Sequence, residues 1–341
     1  MDCENRHVNA CRIGESMKYI NTFQDGTQVK DIYLCKKVNR AHTKAGKAYM
    51  NVTLQDKTGM VDAKIWEPDS PGIGNFEELD YVWVIGEVTV FNGKNQVNIR
   101  QLRRAANDEF DPADYTAASR NSAEKMLASL REYIDSINTD CLKRLLNHFF
   151  VEDEDFCQKF CRHSAAKSVH HGFIGGLLEH TLSVTGICNY FAQNYPFLDR
   201  DLLLTAAICH DIGKVRELAP FPKNDYTDEG QLLGHIMIGA EMVRDVIRTI
   251  DGFPETKANE LLHCILSHHG ELEFGSPKKP AIAEAVALSF ADNVDAKLET
   301  IREALAQSAV GDPLKWYGFN RYLDSNIRRT STAAGAVDYS L

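Results

Sequence analysis

No apolar run in this 341-residue sequence approaches the roughly 20 residues that a membrane helix needs. No membrane partner is therefore expected. Met1 to Ala10 is polar and charged and lacks the apolar stretch of a secretory signal, so a cytoplasmic location is the expectation. No CxxC pair occurs among the nine cysteines, which speaks against the common structural zinc modules. Cys157 and Cys161 stand one helical turn apart, with no further ligand types beside them. Reduced, buried thiols are expected rather than disulfides. Internal repeats are also missing. An excess of positive charge is lacking too: the net charge of −10 argues against a protein that coats nucleic acid non-specifically.

What is present divides into two halves. Residues 1–106 carry 15 Lys+Arg against 13 Asp+Glu, whereas the remainder carries 23 against 35, so a near-neutral front precedes an acidic body. From Gln28 to Arg104 the sequence reads as strands, over Val29–Val38, Ala48–Leu54, Val61–Trp66, Tyr81–Phe91 and Gln96–Leu102. Turn signals at Lys57–Gly59 and Asn92-Gly93 separate them. Five strands with a longer connection from Pro68 to Leu79 match a five-stranded OB barrel. Residues 105–122 are polar, acidic and contain a proline, and read as a linker. Beyond them, apolar residues recur at three and four positions, predicting helices over Ala123–Ile137, Gly176–Tyr195, Asp199–Arg216, Glu229–Ile250, Glu255–His268 and Ala281–Ala309. Ser122 and Asp199 are the expected N-caps. The expected organisation is an extension (1–17), an all-β OB barrel (18–104), a linker (105–122), an all-α domain (123–329) and a flexible tail (330–341).

Nine of the twelve histidines fall between His163 and His269. One histidine on an apolar face is ordinarily a core residue. A cluster in one helical region is what a metal site assembled from several helices produces. His180 lies in a predicted helix, and His210-Asp211 follows the apolar run Ala206–Cys209. A buried Asp is costly unless a cation compensates it. Gly213 is expected to let the backbone approach a ligand, and Lys214 supplies a charge suited to phosphate. His235, His268, His269 and Asp292 complete the set. Imidazole and carboxylate donors without thiolate suit Mn²⁺, Fe²⁺, Zn²⁺ and similar ions.

The ordered set His180…His210-Asp211…Asp292 resembles the H…HD…D signature of HD-domain phosphohydrolases, an all-helical fold. Over nearly the whole chain, a front OB domain followed by His170–Thr181 (HHGFIGGLLEHT), His210–Lys214 (HDIGK) and Ser267–Pro277 (SHHGELEFGSP) resembles the YhaM-type 3′→5′ exoribonucleases, also described as a CMP-binding-factor type. The resemblance implies divalent metal ions, two of them, with Mn²⁺ foremost and Fe²⁺, Mg²⁺, Ni²⁺ or Zn²⁺ as substitutes. It implies His180, His210, Asp211, His235, His268, His269 and Asp292 as ligands, with Asp211 bridging. It further implies a metal-activated hydroxide as nucleophile, nucleoside 5′-monophosphates as products and a homo-oligomer. Catalytic roles fall to Asp211, to Lys214 on a phosphate oxygen, and to His170 or His171 as proton donor to the leaving 3′-oxygen.

The front domain points to single-stranded nucleic acid, because OB barrels stack bases on aromatics over a cationic groove. Lys36, Lys37, Arg40, Lys44 and Lys47 bracket the first hairpin, and Arg100 and Arg103 lie in the last strand. Tyr33, Tyr49, Trp66 and Phe91 are the available aromatics. RNA is favoured over DNA through the resemblance alone. Two rival readings stay open. One is a hydrolase of dNTPs or of cyclic or dinucleotide substrates, which leaves the OB domain unexplained. The other is a nucleic-acid-binding adaptor with an inactive metal site, against which the complete ligand set speaks.

Overall fold

The computed structural model describes residues 17–116, 118–119, 121–167, 172–306 and 316–330. All of the expected extension except Met17, all of the expected tail except Thr330, and both His170 and His171 lie outside the described residues. The chain divides into two compact units, Met1–Ala118 and Ser119–Leu341.

In the first unit, strands β1 (Gln28–His42), β2 (Ala48–Asp56), β3 (Gly59–Ile65), β4 (Tyr81–Phe91) and β5 (Lys94–Arg104) close a barrel in the order β1-β2-β3-β5-β4. All pairs are antiparallel except β3–β5. This is the OB topology anticipated from the strand pattern. Closure depends on the length of β1. Gln28–Leu34 pairs with β4, and Leu34–His42 pairs with β2, with a register shift between Cys35 and Lys37. Strict alternation fills the interior: Val82, Val84 and Val88 of β4 meet Val52, Leu54, Ala63, Val97 and Ile99, all buried.

Part of the stretch read as a linker belongs to this core. Ala105 and Tyr115 are buried in it, and the Phe110 ring stacks on Tyr81 at 3.9 Å between centroids. Tyr115 sets its ring edge-on to both Tyr81 and Phe110, and its carbonyl accepts a hydrogen bond from Gln55 Nε2. The segment is polar by composition, yet its two aromatics seal the barrel.

The second unit contains α1 (Ala123–Asp135), α2 (Asp140–Asn147), α3 (Glu154–Arg162), α4 (Gly176–Asn194), α5 (Arg200–Cys209), α6 (Lys214–Glu217), α7 (Asp228–Thr249), α8 (Glu255–Ser267) and α9 (Ala283–Ala306). A hairpin, β6 (Trp316–Asn320) with β7 (Ser325–Arg328), follows, where the sequence reading expected no strand. Asp199 caps α5 by accepting from Leu202 N at 3.0 Å. Ser122 holds the equivalent position on α1 but its side chain makes no capping bond. Every residue of α5 from Leu202 to Cys209 is buried, so this helix is the axis around which the others pack. The helix expected over Asp199–Arg216 is broken: α5 stops at Cys209 and His210–Gly213 forms a turn.

Removing the Tyr115 side chain tests whether the segment after β5 is structural. Tyr115→Ala should destabilise the barrel by about 3 kcal/mol, the cost of emptying a buried aromatic site. Urea unfolding followed through Trp66 and Trp83 fluorescence measures it. An unshifted midpoint would mean that this stretch is only a tether.

Candidate metal centre

The centre forms where α5 ends. His210 Nδ1 lies 2.7 Å from the carbonyl of Ala207, and a carbonyl can only accept, so the ring proton sits on Nδ1 and Nε2 is left as a donor to a cation. The same device recurs. His268 Nδ1 donates to Ile265 O and His269 Nδ1 to Phe274 O, both at 2.7 Å. His180 Nδ1 lies 2.7 Å from Asp295 Oδ2, and His235 Nδ1 lies 2.9 Å from Glu217 Oε1. Five rings thus have Nδ1 engaged, which leaves Nε2 of each as the ligand atom. Outer partners of this kind are what fix the tautomer and orientation of metal-binding histidines.

The Nε2 atoms and carboxylates converge. His180 Nε2 stands 3.2 Å from His210 Nε2, 3.4 Å from Asp211 Oδ2 and 3.2 Å from Asp292 Oδ1. On the other side of Asp211, Oδ1 faces His235 Nε2 at 3.5 Å and His268 Nε2 at 3.8 Å. The sets His180–His210–Asp292, His210–Asp211–His268 and His235–His268–His269 each bring their donor atoms within 4.8 Å of one another. Asp211 Oδ1, His235 Nε2 and His268 Nε2 are buried without a hydrogen-bond partner. Three adjacent orphaned atoms, all of them electron-pair donors, fit a cation between them. The expected ligands His180, His210, Asp211, His235, His268, His269 and Asp292 therefore meet in one place. His269 joins His235 and His268 in one of these groups, since α8 ends at Ser267 and the chain turns there.

Two glycines build this geometry. At Gly234 the backbone is left-handed (φ 73°) and breaks α7, so that His235 starts a new helical direction toward Asp211. A Cβ on Gly213 would stand 2.1 Å from His235 O and 2.6 Å from Gly239 N. Its expected role of admitting a ligand is corrected: what approaches Gly213 is the backbone of α7.

Electrostatics follow from burial. Desolvation would raise the Asp211 carboxyl, but the Lys214 ammonium, at 2.6 Å, and His210 hold it well below the usual carboxylate range. Lys214 is desolvated in turn, and the carboxylate keeps its pKa above the ordinary lysine value. Burial works against the charged form of His180, yet Asp211, Asp292 and Asp295 hold it well above the usual histidine range. Burial, with His269 and His210 adding to it, pushes His268 well down. Sequence reasoning missed Glu217 and Asp295, the orienting carboxylates, and Ser183, which donates to Asp295. The one available signal was spacing: Asp295 follows Asp292 by three residues on one helix, and so shares its face.

On the barrel, several expected nucleic-acid contacts are already paired. Arg40 binds Asp69 (2.7 Å), Lys47 binds Glu67 (3.1 Å), Arg100 binds Glu87 (2.6 Å), and Arg103 grips Glu109 while lying over Trp83. Lys37 and Lys44 are exposed, Lys36 is half-buried, and Phe91 is exposed beside the β4–β5 turn. Tyr49 and Trp66 come together, with ring centroids 5.5 Å apart. Beside them stand three residues that sequence reasoning left out. Lys64 Nζ lies 4.8 Å over the Tyr49 ring and donates to Asn51, and Asn98 accepts from Trp66 Nε1 at 3.0 Å. Register puts Asn51, Lys64 and Asn98 in one row across β2, β3 and β5.

Residues 177–297 match the HD domain family. The chain is 33% identical over 299 residues to the 3′-5′ exoribonuclease YhaM of Bacillus velezensis, covering 86% of this chain and 93% of that one. It is 35% identical over 298 residues to the protein of the same name from a Geobacillus species, covering 86% and 90%. Among solved structures, the second OB-fold domain of replication protein A from Methanococcus maripaludis is similar to 26% of this chain and covers 94% of its own length. Its identity is 13% and the TM-score 0.22, too low to add to the strand order described above.

Glu217→Ala would leave His235 without its orienting acceptor. Affinity of the chelator-stripped protein for Mn²⁺, read by calorimetry, should fall about 10- to 100-fold. An unchanged isotherm would show that His235 is not a ligand.

Proposed function

The chain belongs to the family of the 3′-5′ exoribonuclease YhaM, and we propose that it shortens single-stranded RNA from the 3′ end, releasing nucleoside 5′-monophosphates. The activity is that of a metal-dependent 3′-5′ exonuclease. The observation that carries the assignment of its centre is the convergence of five oriented imidazoles and two carboxylates on three unpartnered buried atoms. Manganese is the proposed ion, because the donors are nitrogen and oxygen without thiolate; Fe²⁺, Mg²⁺, Ni²⁺ and Zn²⁺ have the same donor preferences in part.

A divalent ion supplies Lewis-acid chemistry when bound, withdrawing negative charge from phosphoryl oxygens and raising the acidity of water. The residues have their own tasks. Asp211 presents one oxygen to each side of the centre, Oδ2 toward His180 and His210 and Oδ1 toward His235 and His268. Its two faces suit a bridging role. Lys214 keeps its charge in a desolvated position and is placed to neutralise a phosphate oxygen that displaces Asp211 Oδ2 as its partner. Asp295 and Glu217 hold His180 and His235 in register. Proton delivery to the leaving 3′-oxygen stays assigned to His170 or His171, which lie outside the described residues. Metal chemistry on a phosphate needs no base identity, so sequence preference is expected to be slight.

The barrel supports the strand. Tyr49 and Trp66 offer a stacking platform, with Lys64 as a cation beside it. Of the basic residues expected there, the exposed Lys37 and Lys44 are proposed as the main phosphate contacts, while Lys36, Arg40, Lys47, Arg100 and Arg103 contribute only after exchanging their present partners for a phosphate. Among the described residues no helix is long and apolar enough to cross a membrane. The seven described cysteines are free, in keeping with a reducing cytoplasm. Family likeness also supports assembly of more than one copy of the chain.

With Mn²⁺ and a 5′-labelled RNA, wild-type protein should give a ladder that shortens from the 3′ end. Asp211→Ala should lose more than the roughly 10- to 100-fold that an outer-shell change costs, and chelator should abolish the ladder until metal is restored. Intact RNA with the wild type would sink the exonuclease assignment and turn attention to small nucleotides. Trp66→Ala tests the platform: affinity for single-stranded RNA, read by fluorescence anisotropy, should weaken by about 1–3 kcal/mol. Unchanged affinity would remove Trp66 from the interface.

A further inference from the structure

Helix α9 has two unlike faces. Inward, Ala285, Leu288 and Ala291 are fully buried and Asp292 and Asp295 serve the metal centre. Outward, four large apolar side chains follow one another at every fourth residue. Val286 is 42% exposed, Phe290 64%, Val294 40% and Leu298 62%. Residues four apart form the ridge by which packed helices most often interlock. A solvated face of this helix would carry several charges there, whereas Lys297 is the one exposed charge among the described side chains of α9.

The order of sizes along the ridge singles out its partner. Reversed against itself about a point between Phe290 and Val294, it sets Phe290 against Val294 and Leu298 against Val286, a large side chain facing a small one at each step. That is the condition for two layers to interdigitate without gaps. A parallel overlay would put Phe on Phe and Val on Val. Self-complementarity under reversal is the property of a twofold, isologous contact. The four positions themselves carry no charge, and the exposed Lys297 beside them would meet Ala287 of the copy under the same reversal.

Area supports it as well. The four side chains expose apolar surface on the order of 350 Å², the size of the largest patch on an ordinary monomer. Hairpin β6–β7 is tied to the C-terminal end of α9 through Arg329, which donates to Leu305 O, and it exposes Trp316 and Phe319 at 60% each. The ridge alone supplies nearly half of the roughly 800 Å² that each partner brings to a standard interface, of which little more than half is apolar.

We propose that the outward ridge of α9 is the surface on which a second copy of this chain docks, antiparallel, about a twofold axis between Phe290 and Val294. The proposal rests on the self-association within the functional reading and not on the chemistry at the centre.

Sedimentation velocity at micromolar concentration tests it on the full chain. Phe290→Lys alone and Val294→Glu alone should each halve the wild-type mass, since each puts an unpaired charge into the contact. Mixing the two variants should restore it, because Lys at 290 then faces Glu at 294. Far-UV circular dichroism and cleavage of a short RNA report fold and metal centre separately. Should the charged variants unfold, Phe290→Ser combined with Leu298→Ser must halve the mass instead. A wild type that sediments as a single chain overturns the proposal, as do variants that keep the wild-type mass. Unchanged mass with lost RNA binding overturns it too, and gives the ridge to nucleic acid.

Discussion

A carboxylate in the middle of the helical unit sets the terms for everything around it. Asp211 is 1% exposed, at the end of a helix buried on all sides. A lone anion there would be prohibitive, so cations or donors must be brought to it from every neighbouring element. Lys214 answers only Oδ2. Oδ1 is left facing two imidazole nitrogens that have no protons to give, because their protons are committed on the far side of each ring. A cation at that oxygen would balance its charge, and the helices are held in an arrangement that would supply the proposed ligands. α4 contributes His180, α7 is broken at Gly234 to aim His235, α8 is stopped to release His268 and His269, and α9 brings Asp292.

How far this could be read from the sequence depended on how rare each residue type is. Histidines are few, so nine in one helical region stand out, and those proposed as ligands are brought together by the fold. Strand alternation gave the barrel, because a two-residue period survives any detail of packing. Orienting acids are a different matter. Glu217 and Asp295 are two of 48 acidic residues, and other acids of α9, Glu284 and Glu299, are buried as well without facing the centre's histidines. Only the partner across the site distinguishes them. The break at His210–Gly213 was illegible for a similar reason: the turn is imposed by the approach of α7 to Gly213, not by local preference. Tyr115 and Phe110 were taken into a linker because their neighbours are polar, although two aromatics suffice to close the barrel.

Pairing also changes what the barrel can do. An arginine in a strand sequence looks like a phosphate contact, yet its acid lies on another strand or loop and is invisible along the chain. With Arg40, Lys47, Arg100 and Arg103 each held by a carboxylate, the outer face has little net positive charge. Affinity resting on stacking over Tyr49 and Trp66 would respond less to salt than affinity resting on a row of lysines.

The cysteines explain why the centre is a nitrogen and oxygen site. Three of them sit beside ligands in sequence: Cys209 precedes His210, Cys264 lies one turn before His268, and Cys188 lies two turns after His180. Thiolates there would outcompete carboxylates for soft ions and draw the site toward zinc. Each is buried in the helical core, and desolvation pushes the Cys209 thiol up to about 12 and the other two upward as well. They remain protonated and serve as small apolar fillers. Selection of the metal is thus partly exercised by residues that never touch it: the core withholds sulfur, and what it offers at the end of α5 is imidazole and carboxylate alone.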